Sequence, residues 1–171
     1  MRTILAFVFC LSIACAADMS DNVTSVETTD YAVRLPGKWG EQPVTDEGLR
    51  QYAGTANTEY LSVSVLQLVQ PVTRAEIAER LDEYLATRLK TEHRQVRSVP
   101  IELSAPKIQS QGSGMVASYT GFQPDTYRHF IGFVVVNTKR LVCFYYEALD
   151  TPEAQFKQRA AQVLGSVKVA D

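Results

Sequence analysis

Apolar and polar residues alternate along Leu61-Ser62-Val63-Ser64-Val65, the period of two that marks a strand with one buried face. The same reading gives strands at 31–35, closed by Pro36-Gly37, at 49–53 and at 60–68. The period then changes. Ile77, Leu81, Tyr84 or Leu85, and Leu89 recur at helical spacing behind Thr73 and Glu76, which have the capping-box spacing. The charged residues between them, with Glu76 and Arg80 four apart, read as a solvated face and not as an acid/base pair. The second half returns to strands: an ill-defined one within 101–110, then 115–122, 127–136 and 141–148. Four-residue links at 123–126 and 137–140 favour antiparallel neighbours over crossovers. The run Phe130 to Val136 is almost wholly apolar and predicts a central strand covered on both faces. Thr151-Pro152 opens a last helix with proline at its first position, with Phe156, Ala160 and Val163 or Leu164 as its buried face, and 166–169 closes the chain as a short strand. The sum is an α+β domain, an antiparallel sheet of about six strands flanked by two main helices.

The N-terminal seventeen residues have a different pattern. Arg2 precedes an apolar run from Ile4 to Cys15 that ends in small residues, which reads as an export signal and is too short for a permanent span of a hydrocarbon core about 30 Å thick. Two processing outcomes compete. Ala14-Cys15 resembles a bacterial lipobox, with Leu11 one position too early, and makes Cys15 a lipid attachment site; cleavage after Ala16 or Ala17 instead discards it. The polar stretch 18–30 favours lipidation, because it is too poor in large apolar residues to fold and suits a flexible tether reaching on the order of 20 Å. The division is a signal at 1–17, a tether at 18–30 and one globular domain at 31–171. About 140 residues suffice for a single core.

After processing, Cys143 is the one thiol left, so no intramolecular disulfide framework is expected. Its place in the apolar run 141–146 reads as a small buried hydrophobe. The formal net charge of −2 argues against a nucleic-acid surface. Arg88, Lys90, His93, Arg94 and Arg97 gather near the end of the first helix and read as a solvated helix end whose cations complement the dipole.

Several short pieces come in a familiar order. A tyrosine-led strand runs into Leu35-Pro36-Gly37-Lys38-Trp39; Leu61 to Val65 precedes a threonine-capped helix; Phe144-Tyr145-Tyr146-Glu147-Ala148 precedes a helix and Gly165-Ser166-Val167. From Tyr31 onward this resembles the PsbP-like domains and, within them, the DcrB-type bacterial envelope proteins. The resemblance implies an antiparallel sheet between helices and a role as adaptor, assembly factor or envelope protein more often than enzyme. It transfers no functional residues, because the matched positions build the fold.

Catalytic signals are weak. His93 and His129 are the two histidines, at different ends of the domain, and no HExxH, GxSxG or GxxxxGK motif occurs. Gly112-Ser113-Gly114 reads as a turn. His129 with Asp125 nearby admits an acid/base pair, although a strand-end histidine bonded to backbone or water is the usual case. Trp39 and the tyrosines Tyr119, Tyr127, Tyr145 and Tyr146 read chiefly as core area and sheet-edge caps, and as the walls of a ligand groove in the alternative. Trp39, His129 and Tyr145 are the candidate binding-surface residues. No catalytic residue, cofactor or metal is expected. The expected function is that of an exported, periplasmic, non-enzymatic module that binds a protein partner, touching the membrane only through an N-terminal lipid. The rivals are an immunity or inhibitor protein directed at a toxin or hydrolase, a hydrolase built on His129, and a small-ligand carrier.

Overall fold

The computed structural model describes residues 23–46, 48–54, 56, 58–94, 99–111 and 114–170, with the side chains of 92–94 left aside. Within them the chain is α+β, with two α-helices and eleven strands arranged in two antiparallel sheets. Strands β1 (Val23–Glu27) and β2 (Tyr31–Pro36) pair with each other, and the C-terminal β11 (Lys168–Val169) pairs with the far side of β2. The large sheet holds β3 (Trp39–Gln42), β4 (Leu49–Gly54), β5 (Glu59–Gln67), β6 (Glu102–Leu103), β7 (Lys107–Gln111), β8 (Gly114–Gln123), β9 (Arg128–Val136) and β10 (Arg140–Leu149). Its spatial order is β3-β4-β5-β10-β9-β8-β6, with β7 also on β8. Helix α1 (Arg74–Arg94) covers part of one face; α2 (Glu153–Gly165) and the small sheet cover the other.

Strand alternation divides the core between these faces. From β10, Val142, Phe144, Tyr146 and Ala148 enter the α2 side with Leu61 and Val63, while Leu141, Cys143 and Tyr145 turn toward α1 with Phe130 and Val134. As expected, β9 is central and packed on both sides. Thr73 caps α1: its amide donates to Glu76 Oε2 at 2.7 Å, and the Glu76 amide donates back to Thr73 Oγ1 at 3.4 Å. That exchange satisfies two amides that lack intrahelical partners.

Three expectations change. The sheet is larger than six strands, because β1, β3, β6 and β7 are short or polar pieces whose burial alternates weakly or not at all. The polar segment 18–30 contributes β1, which pairs along β2 from Val23↔Pro36 to Glu27↔Ala32 and is therefore built into the domain; 18–22 lie outside the described residues, as do the signal at 1–17 and Cys15. Pro152 occupies the capping position, one residue before the helix. Its fixed φ and missing donor suit that place too.

Candidate functional site

Helix α1 packs chiefly over β8 and β9, where Ile77, Leu81 and Leu85 meet Ala117, Tyr119, Phe130 and Val134. Beside it a groove of about 660 Å³ opens over β4, β5 and β10. Its floor is set by register: Cys143 lies opposite Ser64 and Tyr145 opposite Ser62, so the polar alternates of β5 line the cavity together with the outward residues of β10. Tyr84, one turn before Arg88 on α1, forms the near wall with it.

Arg88 organises this wall. Its guanidinium carbon lies 5.1 Å from the centroid of the Tyr145 ring, and its Nε donates to the Tyr119 hydroxyl at 3.4 Å. Tyr145 in turn stacks on Phe130 at 5.4 Å, and the Arg128 guanidinium lies 5.3 Å from the Phe130 centroid. Two cations thus bracket a pair of stacked rings. Arg128 is ion-paired with Glu147 at 2.8 Å, both largely buried, while its Nε is buried with no hydrogen-bond partner. Burial pushes the Tyr84 hydroxyl and the Cys143 thiol above their ordinary values; hydrogen bonds from Tyr84 and Ser64 and the charge of Arg88 pull the thiol back in part. A thiol so placed is a packed group and a poor nucleophile.

The basic cluster read as a solvated helix end therefore divides. Arg88 is half-buried in the groove, held by Tyr119 and Tyr145; Lys90 is exposed; the side chains of His93 and Arg94, and all of Arg97, lie outside the described set. Spacing gave one usable signal for Arg88, its position four residues after Tyr84 on the helix.

Of the expected surface residues, only Tyr145 belongs to this groove. Trp39 and His129 lie on the opposite face, in a run of aromatic contacts. His129 stacks on Phe122 at 4.5 Å and on Phe156 at 5.3 Å, Phe156 stacks on Tyr146 at 5.6 Å, and Tyr146 meets Trp39 at 6.5 Å. Trp39 is fixed there by its indole N–H, which donates to the Pro36 carbonyl at 2.9 Å. His129 is buried, its Nε2 has no hydrogen-bond partner, and the charges acting on it are Glu153 and Lys157. Burial lowers its pKa, so the ring is held neutral. This is the environment of a docked helix: Phe156 enters over the sheet and seals the histidine in. Tyr127, also in contact with His129, has a left-handed backbone with φ of 44° and is partly exposed at the cap of the short 3-10 turn Pro124–Thr126.

No group of three or more His, Cys, Asp or Glu among the described residues is placed to hold a metal ion, and no helix among them is long and apolar enough to cross a membrane. Gly112 and Ser113 lie outside that set.

No family model matches the sequence, and no curated protein matches it. Solved structures do. Cyanobacterial PsbP from Synechocystis sp. PCC 6803 superposes with a TM-score of 0.62 over 93% of this chain and 99% of that one, at 14% identity. A crystal structure from Bacteroides thetaiotaomicron VPI-5482 gives 0.52 over 82% of this chain and 45% of that one, at 12% identity. At such identities the likeness concerns the fold alone. The chain has a PsbP-like fold.

Proposed function

We propose that this protein is an exported, non-enzymatic module of the bacterial envelope that works by binding, and that it takes its protein partner across the uncovered face beside α1. The observation that carries this reading is the incomplete cover of the large sheet. One face is closed by α2 and the small sheet, whereas the α1 face leaves a groove with a built, largely buried polar floor. Leu66, 59% exposed, lines that groove, and Val69, 99% exposed, follows two residues beyond the end of its strand. The resemblance to PsbP-like and DcrB-type proteins and the signal-like N-terminus agree with an accessory role outside the cytoplasm. Anchoring through lipid at Cys15 belongs to the same proposal.

The test has two parts. Mass spectrometry of the N-terminal peptide from cells should find a lipid-modified Cys15; an unmodified chain beginning at Ala17 or Asp18 removes the anchor. Affinity capture from envelope extract should return one stoichiometric protein. If it is a toxin or hydrolase, the inhibitor reading replaces that of an assembly module. A second reading, carriage of a small ligand, is supported by the volume of the groove, which lies in the range of small-molecule sites.

A further inference from the structure

We draw no further inference here: the strongest candidate, the cavity between the first turns of α2 and strands β6, β8 and β9 with His129 in its wall, carries none, because the unpartnered Nε2 of that histidine is buried from solvent, its ring is already stacked on Phe122 and Phe156, and nothing in the structure shows what would fill the space.

Discussion

Tyr119 covers Gly132: the ring carbon Cε1 lies 2.3 Å from the position a β-carbon at residue 132 would occupy, and the two residues face each other across β8 and β9. Two residues along, the arrangement is reversed, with the Phe130 ring over Gly121. Each glycine is a hollow filled by the aromatic residue opposite, and this seating places the Tyr119 hydroxyl beside Arg88. Packing in the core thereby positions the wall of the groove.

Gly132→Ala should overpack this seat and destabilise the domain by about 1–3 kcal/mol. Gly121→Ala should do the same, its β-carbon meeting Phe130 Cζ at 2.1 Å. Gly165→Ala, which meets nothing within 4 Å, should be nearly neutral. Urea unfolding of the three variants checks the order. A neutral Gly132→Ala would mean that Tyr119 leaves its seat freely.

His129 gives stability a pH dependence. Burial lowers its folded pKa below the ordinary value of 6.5, so the unfolded chain takes up the proton first on acidification. The histidine's contribution is complete above pH 6.5 and is lost as pH falls from there toward the folded pKa. Protonation puts a charge between Phe122 and Phe156. His129→Phe should flatten the slope of unfolding free energy between about pH 7.5 and 5 relative to the parent chain. Identical slopes in the two proteins would remove His129 as the source.

Glu59 ties the layers together. It accepts from the Tyr146 hydroxyl at 2.9 Å and from Arg159 of α2 at 2.8 Å, linking β5, β10 and the second helix. Glu59→Ala leaves both donors without this partner in a partly buried place, and should cost about 1–3 kcal/mol. A double-mutant cycle with Arg159→Ala should show coupling between the two; additive losses would mean that solvent screens the pair.

Thr73→Ala removes the cap of α1 and should cost about 1 kcal/mol by urea unfolding. The Glu76 carboxyl is held below its ordinary value by hydrogen bonds to the Thr73 amide and hydroxyl, so the contribution of the box is present at neutral pH and is lost as pH falls through the carboxylate range. Thr73→Ser should retain most of it.

Much of the architecture was legible because its signals are local. Ser62 and Ser64 alternating with Leu61, Val63 and Val65, the Thr73–Glu76 box, and Phe156, Ala160 and Val163 at helical spacing each declare an element with no knowledge of its neighbours. The short edge strands were not legible in this way. Val23–Glu27 is held by pairing to β2 and by Thr24, whose hydroxyl donates to the Gly37 carbonyl at 2.9 Å, relations invisible to periodicity. The groove was legible only in part. Tyr145 is its floor, but strand alternation turns Trp39 and His129 to the opposite sheet face, which α2 and the small sheet cover, although Arg128 next to His129 lines the groove. Arg88 looked like one of several cations at a helix end. Its role depends on where α1 stops covering the sheet, which is settled by tertiary packing.

The most direct measurement is capture from envelope extract with three chains side by side: the parent, Ser62→Trp with the groove filled, and Lys107→Glu on the exposed β7 at the other edge of the sheet. The account predicts one stoichiometric partner retained by the parent and by Lys107→Glu and lost from Ser62→Trp, with all three equally folded. The same partner retained by Ser62→Trp would contradict it, since binding would then lie away from the groove.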